Sequence, residues 1–124
     1  MVDEHEYTRL IHSFYQTVCR GEASEALKYC SEDITLSWGI FKFNGKPALQ
    51  QWIKELRQSF RGIEFIDKQI QIEMNKATHL FVFRIVTPMG GIGLMPAIGT
   101  YQFQRGLFQS LDISLQDGVI MAHP

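Results

Sequence analysis

The sequence predicts an α+β domain: a cone-shaped, curved antiparallel sheet wrapped around three N-terminal helices. Three observations predict it. Apolar residues recur at helical spacing up to Gly62, the period changes to two from Ile63 onward, and it then stays at two. No repeat, linker or low-complexity tract interrupts that order, so the 124 residues read as one domain, 1–124. Helices gathered on one side of such a sheet force it to curl, which leaves a cavity at the open end.

The first helix is the clearest element. Tyr7, Leu10, Ile11, Phe14, Tyr15 and Val18 form one continuous helical face, and Gly21 suits its C-terminal stop. A short second helix is expected from Ser24, a suitable N-cap, with Ala26, Leu27 and Cys30. Ile34 to Trp38 alternates as a strand, and a small strand at Ile40 to Phe43 turns at Asn44-Gly45. The third helix starts with Pro47 in its first turn, carries Leu49, Trp52, Ile53, Leu56 and Phe60 on one stripe, and ends before Gly62.

Four antiparallel strands follow. Ile70, Ile72 and Met74 alternate with polar residues, but Ile63 and Phe65 are one position out of phase, which predicts a bulge. His79 to Thr87 is apolar on both faces and reads as a central strand. Met89 to Met95 reads as a hairpin connection; its Gly90-Gly91-Ile92-Gly93 lacks the lysine and helix of a phosphate loop, and suits a mobile lid. Ala97 to Arg105 puts Ala97, Gly99, Tyr101 and Phe103 on one face. In the last strand, Leu107, Gln109, Leu111, Ile113 and Leu115 are assigned inward and Phe108 outward.

Composition excludes several function classes. A net charge of -1 with 12 scattered Lys and Arg gives no nucleic-acid footprint. No apolar stretch approaches the ~20 residues that span a bilayer, and the start Val2-Asp3-Glu4-His5-Glu6 is no secretory signal, so cytoplasmic localisation is expected. Cys19 and Cys30 match no zinc spacing and are expected reduced. His5 and His12 share a helical flank without a third ligand, so no metal is assigned, and no cofactor is implied. His123 is assigned no role.

Several strings together resemble a known family: Gly21-Glu22, the run Tyr29-Cys30-Ser31-Glu32-Asp33-Ile34-Thr35-Leu36, Gly45-Lys46-Pro47-Ala48-Leu49, and Met95 to Phe103 followed by Arg105-Gly106. Over essentially the whole chain this resembles the nuclear-transport-factor-2-like superfamily, with its ketosteroid isomerases, polyketide cyclases, limonene-epoxide hydrolases and non-catalytic dimers. The resemblance implies a fold and leaves the activity open. Isomerase members need a tyrosine, a carboxylate base and a protonated aspartic acid. Those positions fall on Phe14, Trp38 and Gly99, which cannot transfer a proton. Hydrolase members use an aspartate-arginine-aspartate relay; Arg84 matches the arginine, but Val86 and Ile113 stand where the acids would be.

Arg84 is a charge inside the apolar run His79 to Thr87, so it needs either a partner such as Glu55, Glu64 or Glu73, or a wet pocket. A planar, permanently charged fork suits recognition of an anionic or carbonyl-bearing ligand. Trp38, Phe14, Tyr15, Trp52, Phe43, Met95 and Tyr101 are the candidate pocket walls beside it. Catalytic candidates are Arg84, as a polarising donor, and His79, Tyr15 and Tyr101, for proton transfer, although a histidine at a strand start is expected at a turn or surface. The outward residues Thr100, Gln102, Gln104, Ser110 and Ser114 form an uncharged face suited to homodimerisation. The leading expectation is a protein that binds a small hydrophobic or carbonyl-bearing molecule in an aromatic-lined pocket anchored by Arg84. Its alternatives are a non-catalytic homodimeric interaction module with a filled cavity, and an isomerase-, cyclase- or hydrolase-like enzyme with a non-standard site.

Overall fold

The computed structural model describes residues 4–116 and 120–122. These form α1 (Glu4–Arg20), α2 (Ala23–Leu27), β1 (Cys30–Trp38), β2 (Phe41–Asn44), α3 (Lys46–Ser59), β3 (Gly62–Glu73), β4 (Lys76–Val86), β5 (Ile92–Gln104), β6 (Leu107–Leu115) and β7 (Ile120–Ala122). His123 lies outside the described residues. No helix among them is long and apolar enough to cross a membrane.

The strands make one curved sheet in the order β2-β1-β6-β5-β4-β3, with β7 beside β5. Pairings are antiparallel except β1 with β6, which is parallel, so the sheet is mixed where the sequence pattern suggested antiparallel throughout. Period two fixes which face a strand buries but is blind to a partner's direction. The helices occupy the concave side. Tyr7, Ile11, Phe14, Tyr15 and Val18 of α1 and Leu49, Trp52 and Ile53 of α3 are buried against Phe81, Phe83, Tyr101, Phe103, Leu111 and Ile113 of the sheet.

Local chemistry explains the boundaries. Gly21 ends α1 at φ 74, and Pro47 lies in the first turn of α3. Helix α2 starts at Ala23 after Glu22, without the expected side-chain cap from Ser24. The out-of-phase residues of β3 are reconciled at Asp67 to Gln69, where the register with β4 slips past Lys68. A second slip passes Gln109: Gln102 pairs with Ser110, but Phe103 pairs with Phe108. Phe108 therefore turns inward and is fully buried, against the alternation expected of the last strand.

The segment after β4 is shorter than the sequence suggested, because Ile92 to Met95 already pair with β4. Thr87 closes the turn, donating its N–H to the Gly91 carbonyl and accepting the Gly91 N–H on its hydroxyl. On the convex face, Ile66, Val82 and Pro96 form one cross-strand row, and Leu80 pairs with Ile98 in the next. Ile66 and Leu80 are exposed there, beside the polar set Thr100, Gln102 and Gln104.

Candidate functional site

Two features of the concave side carry the functional chemistry, and the sequence-derived candidates divide between them. The first is a buried polar chain. Alternation places His79 of β4 on the inner face, fully buried, where a surface position was expected. Its Nε2 lies 2.5 Å from Asp67 Oδ1, and its Nδ1 lies 2.9 Å from the Tyr101 hydroxyl. The Tyr101 hydroxyl lies 2.6 Å from that of Tyr15, and both tyrosines are wholly buried. On the outer side, His12 of α1 meets the other oxygen of Asp67.

Hydrogen-bond inventory sets the direction of this chain. A carboxylate only accepts, so the His79 Nε2–H donates to Asp67 and leaves Nδ1 as an acceptor. Tyr101 then donates to Nδ1, and Tyr15 donates to Tyr101. Every member is satisfied in this arrangement. The opposite direction would leave the Tyr15 hydrogen without an acceptor and set the bare Nε2 lone pair against the Asp67 carboxylate.

Burial sets the protonation states. Desolvation holds His79 below its ordinary pKa, against the upward pull of its Asp67 contact, so its imidazole is neutral. Desolvation also raises both phenols above their ordinary value, and the Tyr15 contact raises Tyr101 further. The same burial pushes the Cys19 thiol up to about 11 and Cys30 to about 12, so neither is a nucleophile at neutral pH. Tyr101 fits because Gly99 lies beneath it: a Cβ at Gly99 would come 2.2 Å from the Tyr101 hydroxyl oxygen.

The second feature is an open cleft of about 290 Å³ at one end of the cone. Trp38, Phe41 and Phe43 wall it from the β1–β2 hairpin, Trp52, Glu55, Leu56 and Ser59 from α3, and Phe60 from just beyond its end. Trp38 and Trp52 meet at 5.3 Å between ring centres and 59° between planes. Trp38 also packs edge-on to Phe83 at 5.4 Å. Beside it, a seam between Leu56, Ile63, Ile85 and Met95 is too narrow for a water molecule. The Trp52 Nε1–H is buried without a hydrogen-bond partner, the one such side-chain atom among the described residues. Hollows of about 370 and 410 Å³ near α1–β3 and the α1–α2 turn are larger and more open to solvent.

The candidates thus separate cleanly. Trp38, Phe43 and Trp52 line the cleft, and Met95 lines the seam beside it. Tyr15, Tyr101 and His79 belong to the polar chain, and Phe14 is core, packed 5.1 Å from Phe108. Arg84 departs from expectation. Alternation along β4 sends it to the convex face, where its Nη1 donates to Glu64 Oε1 at 3.3 Å, so it meets neither the cleft nor the polar chain. The sequence reading also passed over Asp67, Phe41, Phe60 and the cleft role of Glu55, and weighed His12 only as a metal ligand. The phase change in β3 was the available signal for Asp67, because a bulge re-aims the side chains around it.

No protein-family model matches the sequence, and no curated protein matches it. Solved structures do. The epoxide hydrolase/cyclase-like enzyme SalBIII of salinomycin pyran-ring formation superposes with a TM-score of 0.83 at 11% identity, over 97% of this chain and 100% of that one. Delta 5-3-ketosteroid isomerase from Mycobacterium sp. superposes at 0.80 and 15% identity, over 94% and 98%. An LEH-like epoxide hydrolase from M. tuberculosis gives 0.78 at 10% identity, over 90% and 84%. The chain has the nuclear-transport-factor-2-like fold. Within that fold, the positions matched to the isomerase machinery hold a core ring at Phe14, a cleft wall at Trp38 and the floor beneath Tyr101 at Gly99.

Proposed function

We propose that this nuclear-transport-factor-2-like protein binds a small, largely apolar molecule carrying a hydrogen-bond acceptor, seated between the β1–β2 hairpin and α3. The aromatic lining of the open cleft carries the reading: Trp38, Phe41, Phe43 and Phe60 surround about 290 Å³. The Ser59 hydroxyl on the same lining is the donor that would meet the ligand's acceptor. The cytoplasmic assignment and the two reduced cysteines are part of this proposal.

The neutral fluorescent ketone prodan tests the reading. Binding should blue-shift its emission, quench the indoles, and weaken about tenfold or more in Trp38→Ala. Wild-type affinity in Trp38→Ala would overturn it.

A second reading, the homodimeric interaction module, is favoured by the ring-filled interior and by the convex row Ile66, Val82 and Pro96 with Leu80 and Ile98. On this reading two copies pair sheet to sheet through that apolar strip and its polar margin at Thr100 and Gln102. Native mass spectrometry separates the readings, since it reports subunit number and any retained small molecule together. Ile66→Glu with Leu80→Glu should give a monomer if the strip is the interface.

A further inference from the structure

We infer that the cleft's ligand is a cation, a fully alkylated ammonium group on an apolar body. The inference rests on the ligand-binding reading and adds charge and head group to it. Five of the eight lining residues are aromatic, and the single charged one is the carboxylate Glu55. Trp38, packed at 59° on the buried Trp52 ring, backs the cleft, and the more open rings of Phe41, Phe43 and Phe60 extend its aromatic lining. The face of an aromatic ring is electron-rich and attracts a cation within about 6 Å, most strongly at tryptophan.

Leucine and isoleucine would serve a neutral hydrocarbon as well as these rings do. Aromatic walls with one carboxylate attract a cation and repel an anion. Glu55 follows Trp52 by three positions on α3, which puts the carboxylate on the same helical face as the indole. No lysine or arginine lines the cleft, and Lys42, between Phe41 and Phe43, alternates to the other side of β2.

The same lining selects the alkylated form. An ammonium with three N–H groups needs three acceptors to replace its water. Here the side-chain acceptors are Ser59 and Glu55, and Glu55 already accepts the Gln51 amide at 3.3 Å. N-methyl groups need only contact with rings.

The test compares benzyltrimethylammonium with its uncharged carbon isostere, neopentylbenzene, on the full chain. Titration is followed by indole fluorescence and by the Trp52 Nε1–H resonance. The cation should bind about tenfold more tightly, and Glu55→Gln should narrow that preference. Equal affinities, or tighter binding of the neutral isostere, would overturn the inference while leaving the prodan result and the ligand-binding reading intact. Failure of both compounds and of prodan to perturb Trp52 would overturn both. Glu55 is exposed on α3, so its substitution leaves the fold in place.

Discussion

The direction of the buried polar chain predicts that two superficially similar substitutions differ in cost. In Tyr101→Phe, the Tyr15 hydroxyl loses its acceptor and His79 Nδ1 loses its donor, both in wholly buried surroundings. Each unmet group costs about 1–3 kcal/mol, so the expected destabilisation is about 2–6 kcal/mol. In Tyr15→Phe, Tyr101 still donates to His79 and only loses an incoming bond, so the cost is about 0.5–1.5 kcal/mol. The double variant leaves only His79 Nδ1 unmet, and should be less destabilised than the sum by about 1 kcal/mol. Urea unfolding of the four proteins, with m-values compared, measures all three quantities. A Tyr15→Phe cost equal to that of Tyr101→Phe, or strict additivity, would refute the assigned direction.

The remaining predictions use other parts of the molecule. His79 is held neutral, so the unfolded chain binds its proton first; stability is flat above about pH 6.5, then falls on acidification toward the lowered folded value by at most about 1.4 kcal/mol per pH unit. The raised phenols act at the other end, and stability is lost above about pH 10 as the unfolded tyrosines ionise; thermal melts across pH measure both limbs, and His79→Phe should flatten the acid one. Gly99→Ala should cost about 1–3 kcal/mol from overlap with Tyr101, plus the hydrogen bonds lost when that ring moves, with the Tyr101 hydroxyl proton exchanging faster by NMR. Arg84→Met should change stability by less than about 0.5 kcal/mol and leave prodan affinity unaltered, because the Glu64 pair is solvent-exposed.

Helices α1 and α3 were legible because their apolar stripes are long and their ends carry Gly21 and Pro47, whose backbone preferences are local. The phase change at Ile63 and Phe65 correctly signalled a bulge. Phe108 went the other way, because the slip past Gln109 depends on how β6 meets β5, which alternation within one strand does not encode. Arg84 and His79 miscarried together. Both lie on a strand whose two faces are apolar, so period two gave no indication of which was inner; the α1 side chains that cover one face decide it. Trp38, Phe43 and Trp52 were recognisable as pocket walls from ring content, but Phe41 and Phe60 join them only through the packing of β2 against α3.

The parallel pairing of β1 with β6 has a consequence for how this chain is made. Thr35 pairs with Ser110 and Trp38 with Ile113, so an early strand takes its sheet partner from near the end of the chain. During synthesis, the hairpin bearing Trp38, Phe41 and Phe43 emerges long before that partner exists. Contacts of such separation slow folding and leave an edge unpaired while ribosomal synthesis continues. A chain arrested before Leu107 would keep the hairpin without its central neighbour.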